Sequence, residues 1–523
     1  MSLRRLSNTL LVCLAIAGAG VAQTQEDYFE KDLHRHGITD LKNPASTPLV
    51  FPAKTGIWRP IYVAMPINPV HMAMMHNGRI LVIAGSGSAR DPESLHAAVF
   101  DPSTWNVRTF SLEYDMFCNG MVVLPDGRPF VMGGTMQYPL PDGQGSWLGL
   151  PYTSLFTPST GKFTRTATMS GGRWYPTGTV LSDGRVMVTS GILDNTANGF
   201  INRNVEIYDP ATDRWTDAGN GFPGFALYPR QALLPNGEVF VSGSQPTSHF
   251  FDPKTFVWRT GPKTNFPLAR NYGTSVLLPL TPANQFKPKV IILGGGPDKA
   301  NITKTTEIIE PMAAQPEWKY GPPMIAPRMD LNATILPNGQ VLVSGGSTKG
   351  EDPSTAVLQS EIYDPQANTL TPMAMMKYPR LYHSNTILLP DATVLATGSN
   401  PVFPIFEPQM ENYWPVYLFN RDGSIATRPV IQSVGGPISY GGVFRISTPD
   451  AASIASVVLI RPGAPTHAFD MEQRLVALNF AIGSGLLNAT APADSRLAPP
   501  GYYMVFILNK AGVPSVAKFV LLQ

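Results

Sequence analysis

Charge is scarce in this chain. Only 15% of its 523 residues are Asp, Glu, Lys or Arg, against roughly 25% in an average globular protein. The 39 basic and 37 acidic residues nearly cancel, so no basic field exists to hold nucleic acid and no like-charged tail to recruit a partner. Cysteine is scarcer still, with Cys13 and Cys118 the only two. A disulfide framework is thereby excluded, and a core of this size does not need one. No run reaches the roughly 18 consecutive apolar residues of a spanning helix, so no membrane span is expected. A Gly-rich phosphate loop, a nucleophile elbow and a His-Glu-x-x-His pair are all missing, and hydrolase and nucleotide-binding chemistry find no support.

Glycine and proline are abundant instead, 47 and 51 residues, which reads as many short strands joined by tight turns. The N-terminus has the form of a secretory signal peptide, residues 1–22. Arg4 and Arg5 precede an apolar run from Leu10 to Ala17, and Gly20-Val21-Ala22 offers a cleavage site. A secreted, extracellular protein is expected. Cys13 leaves with the leader, so Cys118 stands alone in an oxidising compartment, either as a small buried hydrophobe or as a residue with a chemical task.

A unit of apolar run, turn, apolar run and Gly recurs seven times. It reads MAMMHNGRILVIAGSG after His71, MVVLPDGRPFVMGG from Met121, TVLSDGRVMVTSG from Thr179 and ALLPNGEVFVSGS from Ala232. SVLLPLTPANQFKPKVIILGGG from Ser275, ATILPNGQVLVSGG from Ala333 and TILLPDATVLATGS from Thr386 complete the set. Asn-Gly or Asp-Gly between β-branched runs marks a hairpin. A further strand ending in an Asp-Pro or Glu-Pro turn follows each copy, as in AAVFDPST, VEIYDPATDRW and FPIFEPQ. Four strands per repeat, near the kelch period of about 50 residues, predict an all-β fold with a seven-bladed kelch-type β-propeller. The expected divisions are an N-terminal extension over 23–56, the propeller over 57–423 and a C-terminal Ig-like β-sandwich over 424–523, where the repeats give way to runs such as ASVVLIRP and YYMVFILN.

Equivalent positions in different blades lie on one ring around the propeller axis. The residue about eight before each turn, where the innermost strand begins, is Cys118, Tyr175, Tyr228 or Asp330, then the pair Tyr382–His383, with Tyr272 at the comparable place in the long-turn repeat. Cys118 and Tyr175 belong to adjacent blades. Tyr228 and Tyr272 are expected to pack as amphipathic plugs with their hydroxyls on backbone. His34, His36, His71, His76, His96 and His249 read as structural or surface residues, and His467 is a lone histidine in a tight loop. Two phenols and two imidazoles suit tetragonal copper(II) better than zinc. Copper changes by one electron whereas oxidising an alcohol or aldehyde with O₂ takes two. A phenol made easier to oxidise by a sulfur bonded to its ring would supply the second, and Cys118 beside Tyr175 meets that requirement.

These residues and their surroundings resemble the galactose oxidase–glyoxal oxidase family of copper radical oxidases, closest to the glyoxal oxidase branch. The motifs are MFCNG at Cys118, GRWYPTGTVLSDGRV at Tyr175, YPRLYHSNTILLPD at Tyr382–His383, THAFDMEQR at His467 and APPGYYMVFILNKAGVPSVAKF near the end. The resemblance implies that Cys118 and Tyr175 form a thioether-linked radical cofactor and that Tyr175, Tyr382, His383 and His467 bind one copper ion. Tyr382 would also take the substrate proton, with the His467 loop entering the propeller from the C-terminal domain. The implied reaction oxidises a small aldehyde of the glyoxal or methylglyoxal type, or a primary alcohol, with O₂ and releases H₂O₂, so peroxidases that consume it are candidate downstream partners.

Three departures stand out. The indole that stacks over the cross-linked tyrosine in galactose oxidase has no counterpart in TSGILDNTANGF, where Leu193 lies near the spot. Trp174 is a poor substitute because neighbours along a strand face opposite sides. The seventh turn is Asp391-Ala392 in place of Asp-Gly, and the carbohydrate-binding domain that precedes the propeller in galactose oxidase is expected to be absent. Asn301, Asn332 and Asn488 stand in Asn-x-Thr sequons open to glycosylation. The competing reading is a non-catalytic secreted kelch propeller that binds protein or glycan, for which all five site residues would be superfluous.

Overall fold

A computed structural model describes residues 52–87, 95–139, 145–195, 201–223, 226–401 and 405–523. The leader and most of the segment after it, with His34 and His36, lie outside the described residues. The hairpin turns follow from their sequences. At Asn77-Gly78, the Asn77 side chain accepts the Arg79 N–H at 3.1 Å, and Gly78, at φ +78°, donates to Met75 O at 2.9 Å. That is a type I turn closed by a left-handed residue, a position glycine occupies without strain. Asp126, Asp183, Asn236 and Asn338 make the same side-chain bond in their turns. In the seventh turn Ala392 takes the left-handed place at φ +65°, and Asp391 holds Thr393 N at 3.0 Å.

The hairpins build seven antiparallel sheets of the propeller type among the described residues. One of them runs Gly120–Val123, Pro129–Met132, Thr153–Thr157, Lys162–Arg165 from inside outward. Its innermost strand is buried throughout and its outermost alternates exposed and half-buried. The innermost strands His71–Met74, Gly120–Val123, Thr177–Val180, Arg230–Leu233, Thr274–Leu277, Met329–Ile335 and Asn385–Leu388 neighbour one another in that order, and the last meets the first. The seam is closed by the chain's beginning. Ile57–Ile61 pairs with Met410–Trp414, Trp58 opposite Tyr413. The expected third strand of this sheet, in FPIFEPQ, is therefore displaced to Met410–Trp414, and the outermost strand comes from the other end of the repeat array.

Four sheets share a buried ion pair that binds the innermost strand's entry to the third strand. Arg173 meets Glu206 at 2.7 Å, Arg270 meets Glu307 at 2.8 Å, Arg380 meets Glu411 at 3.2 Å, and Arg328 meets Glu361. Each guanidinium also donates to backbone carbonyls, Arg173 to Ser190 O and Asn204 O at 2.8 Å. Removing one partner strands the other charge in the interior, which costs about 3–5 kcal/mol. Arg173→Met is therefore expected to lower the unfolding free energy obtained from a urea titration by that amount, and a change below about 1 kcal/mol would show the pair to be dispensable.

The C-terminal part is two four-stranded sheets face to face. In Ile454–Arg461, Val457 and Leu459 point into the sandwich, while Val458 and Ile460 pack with Leu278, Leu336 and Leu388 of the propeller. Strand alternation thus buries this sheet on both faces. The chain between Ile454–Arg461 and Arg474–Leu478 leaves the sandwich and enters the propeller axis. Its short strands Pro465–Thr466 and Phe469–Asp470 add to the sheet of His71–Met74, Thr466 opposite His71.

Candidate metal centre

The ring positions share one backbone conformation. Cys118, Tyr175, Tyr228, Tyr272, Asp330 and His383 have φ between +44° and +68°. The left-handed region is strained for side chains of this size, by about 1–3 kcal/mol each, and persists only where the surroundings enforce it. Here the enforcement is a set of backbone bonds between neighbouring sheets. Tyr175 N donates to Cys118 O at 2.9 Å, Tyr228 N to Tyr175 O at 3.0 Å and Asp330 N to Tyr272 O at 2.7 Å. The buried arginines stand just before four of these turns, two residues ahead of Tyr175, Tyr272, Asp330 and Tyr382.

His467 arrives on the plug loop, which three innermost strands grip. Arg461 donates to Val123 O at 2.9 Å, Gln473 to Ala333 O at 2.9 Å, and Arg474 to Leu233 O. The Asp470 carboxylate closes the loop on itself, accepting the N–H groups of Ala464, Glu472 and Gln473 at 2.8–3.0 Å.

All five residues picked from the sequence meet there. The Tyr175 and Tyr382 hydroxyls are hydrogen-bonded to each other, and the Tyr175 hydroxyl lies 3.1 Å from His467 Nε2. Cys118, fully buried and free, shares a buried cluster with Tyr175 and has its sulfur 3.9 Å from His467 Nε2. One ligand atom each from Cys118, His383 and His467 falls within 4.8 Å of the others. Tyr228 bonds Asn119 O at 2.6 Å, as a plug, whereas Tyr272 is 39% exposed and meets the Tyr382 ring edge-on at 5.8 Å.

Hydrogen bonding dictates the tautomers. His383 Nδ1 lies 2.5 Å from Asn400 Oδ1, an acceptor only, so Nδ1 carries the proton and Nε2 the lone pair. That Nε2 is buried and has no hydrogen-bond partner among the described residues. Thr466 spends its hydroxyl proton on Val70 O at 2.8 Å, so its oxygen accepts from His467 Nδ1 at 2.6 Å, and His467 Nε2 likewise presents a lone pair. Burial, followed by the Asn400 bond that opposes it, takes the His383 pKa down to about 4, and burial with His383 and His71 nearby lowers that of His467. Burial first, then the Cys118 thiol, pushes the Tyr175 and Tyr382 phenols up. Neutral imidazoles with inward lone pairs, one of them orphaned, and phenols that need a cation to ionise together fit a copper ion.

Three neighbours correct or extend the sequence reading. His71 is structural, the first of the two expected alternatives. It is fully buried, its Nε2 accepts the Cys118 N–H at 3.0 Å, and its ring lies 5.6 Å from that of His467. Trp174 does reach Tyr175, ring centroids 3.9 Å apart at 61°, and stacks in turn on Trp147 at 4.5 Å. Tyr175 sits in a left-handed bend before its strand starts, so strand alternation does not apply. Asn400, also bonded to Asn68 at 2.9 Å, orients His383 and had not been singled out. Its replacement in Asn400→Leu is expected to weaken copper binding about 10–100-fold, measured by competition with a chelator, and unchanged affinity would remove it from the site. Asn332 is buried within an innermost strand, with its amide on Ser384, which leaves no access for a glycosyl donor.

An all-β propeller whose ring and plug converge two phenols, two imidazoles and a free thiol has the form of a copper radical oxidase. The comparisons agree. The family model for the glyoxal oxidase N-terminus matches residues 87–413, and that for the galactose oxidase-like early set domain matches residues 428–522. Galactose oxidase of Gibberella zeae is 29% identical over 506 residues, 89% of this chain and 70% of the relative. Aldehyde oxidase GLOX of Vitis pseudoreticulata is 28% identical over 539 residues, 89% of this chain and 97% of the relative. A solved fungal alcohol oxidase in complex with copper, of the AA5 family, superposes with a TM-score of 0.78 at 26% identity, covering 90% of this chain and all of that one. The chain belongs to the glyoxal oxidase–galactose oxidase family of copper radical oxidases.

Proposed function

We propose that this protein is a secreted copper oxidase that converts small aldehydes of the glyoxal or methylglyoxal type, or primary alcohols, with O₂ to the acid or aldehyde and H₂O₂. The residues that would hold copper are Tyr175, Tyr382, His383 and His467. The ion would supply one-electron exchange and a place for the substrate oxygen. Tyr382 takes the proton from the substrate hydroxyl, that of the alcohol or of the hydrate an aldehyde forms with water, which supplies the acid's second oxygen. Tyr175, bonded through its ring to the Cys118 sulfur, takes the hydrogen atom from the neighbouring carbon, since the sulfur delocalises the unpaired electron and makes the phenol easier to oxidise. Forming that thioether removes two hydrogens, one from the thiol and one from the ring, with O₂ as acceptor. Trp174 packs edge-on against Tyr175, and Trp147 stacks on Trp174.

One observation carries this reading: a free buried thiol, its sulfur 3.9 Å from His467 Nε2, sits where that same imidazole nitrogen lies 3.1 Å from the Tyr175 hydroxyl. Support for the substrate class comes from the relatives, whose names are galactose oxidase and aldehyde oxidase. Among the described residues no helix is long and apolar enough to cross a membrane. The test is a copper titration of the purified chain followed by peptide mass analysis. One equivalent of copper and a Cys118–Tyr175 linked peptide two hydrogens light are expected, with peroxide released on adding methylglyoxal. A chain that binds no stoichiometric copper and shows no linked peptide is a binding module instead.

A further inference from the structure

Tyr175 is the inner end of a row of four oxidisable rings, of which the reaction uses only the first. A two-stranded hairpin leads the row outward. Thr135–Gln137 pairs with Leu148–Gly149, Thr135 opposite Gly149, and Leu150 bridges Arg173, so the hairpin lies beside the turn that carries Trp174 and Tyr175. Aromatic residues flank its two strands, Tyr138 after the first and Trp147 before the second. Ring centroids are 3.9 Å apart from Tyr175 to Trp174, 4.5 Å from Trp174 to Trp147 and 4.8 Å from Trp147 to Tyr138. Tyr175 and Trp174 are buried, whereas Trp147 and Tyr138 are only half-buried. Trp174 Nε1–H donates to Thr135 Oγ1 at 3.1 Å, and the Tyr138 hydroxyl donates to Asp115 Oδ2 at 3.2 Å. Phenylalanine would serve apolar packing at these places. Indole and phenol differ from it in giving up an electron far more readily.

Resting on the oxidase reading, we propose that Trp174, Trp147 and Tyr138 form an electron relay through which a one-electron oxidant at the protein surface restores the oxidised state of Tyr175. The reaction needs two one-electron stores, and turnover fills and empties them as a pair. A chain in which Tyr175 alone has been reduced is one electron out of step, and the substrate–O₂ cycle, which moves electrons in twos, does not correct it. One electron has to leave from a buried ring. The oxidant takes it from Trp147 or Tyr138, Trp147 is refilled from Trp174, and Trp174 from Tyr175, which is a phenolate once the ion is bound. The sum is Tyr175 phenolate plus oxidant giving Tyr175 radical plus reduced oxidant, with no net proton. The indoles pass the electron and keep their N–H protons, and Tyr138 lends its proton to Asp115 while it is oxidised. The contact of Tyr382 with Tyr272 offers another way out, but it is wider, 5.8 Å between centroids, and ends on a single phenol.

The test follows radical formation and not turnover. The copper-loaded full chain, first reduced at Tyr175 with hexacyanoferrate(II), is mixed in a stopped-flow cell with hexachloroiridate(IV), a complex that takes one electron from outside the protein. The phenoxyl radical is read by its visible absorption. Trp147→Phe keeps an aromatic ring that is hard to oxidise, and it is expected to slow radical formation at least about tenfold, a barrier higher by about 1.4 kcal/mol. Trp147→Leu should be as slow, and Trp147→Tyr, oxidisable again, should recover part of the rate. Copper affinity and the linked peptide should match the wild type in all three, because Trp147 touches neither. A wild-type rate in Trp147→Phe overturns the relay. So does a rate slowed in Trp147→Leu but restored in Trp147→Phe, which would make the indole a packing group. Slowing in Tyr272→Phe with none in Trp147→Phe places the path through Tyr382 and overturns it as well. A wild type without linked peptide or peroxide release fails the oxidase reading and the relay with it. A wild type that has both, with one oxidation rate across all Trp147 variants, fails the relay alone.

Discussion

Cys118→Ser is expected to take up one equivalent of copper and to turn over at least about a thousandfold more slowly than the wild type, an added barrier of roughly 4 kcal/mol. The substitution removes one atom's chemistry and little else. Cys118 is fully buried and its backbone N–H is held by His71 Nε2 at 3.0 Å, a bond the serine keeps. The serine hydroxyl has the His467 Nε2 that faced the thiol, at 3.9 Å from the sulfur, as a neighbouring polar group. The imidazole nitrogens and both phenols stay in place, and metal uptake survives. An oxygen at this position does not bond to the ring under mild oxidation, so Tyr175 remains an ordinary phenol, harder to oxidise by a wide margin. Intact-mass analysis should find the variant at its sequence mass and the wild type two hydrogens below it. A variant that loses copper as well as activity would mean that Cys118 serves as a ligand and not as half of a cofactor. Turnover within tenfold of wild type would remove the thioether from the mechanism.

How much of this was legible beforehand differs residue by residue, for physical reasons. Cys118, Tyr175 and Tyr382–His383 could be placed together because a propeller converts a period along the chain into a radius in space. The Asp-Gly and Asn-Gly turns supply the period, so positions counted back from them fall on one ring. The same counting failed at His71. It stands closer to its turn than the other ring members do, and what buries it is the plug strand Pro465–Thr466 from another part of the chain. His467 had no local signal beyond its motif, since its place depends on Arg461, Gln473 and Arg474 finding carbonyls on three different sheets. Asn400 works through a contact with Asn68, 332 residues away, and nothing near it in sequence records that. Trp174 meets Tyr175 edge-on and does not stack over it, and the two rings touch because the left-handed bend at Tyr175 precedes the strand. The buried arginines were a readable signal left unread. GGRWY, LARNY, APRMD and YPRLY repeat an Arg before the ring residue, and each arginine proves to be the anchor of that turn.

The plug suggests the second large effect. His467→Ala is expected to weaken copper binding more than a hundredfold, beyond the 10–100-fold typical of residues that only orient a ligand, and to abolish turnover while the chain stays folded. The fold survives because the loop does not depend on the imidazole. Asp470 accepts three backbone N–H groups within it, Thr466 is fastened to Val70 O, and the flanking Arg461 and Arg474 are tied into the propeller. A rigid loop presents His467 Nε2 before the ion arrives, so binding has no ordering cost to meet. Asp470→Ala separates position from ligation, since it frees three backbone donors and loosens the loop but leaves the imidazole on it. Its copper affinity, measured against the same chelator, should fall between the wild type and His467→Ala, about tenfold below the former. If Asp470→Ala binds copper as tightly as the wild type, the site assembles around the ion and the plug is only a tether. If it binds as weakly as His467→Ala, the imidazole is worthless without its loop, and preorganisation by Asp470 accounts for the whole of that ligand's contribution.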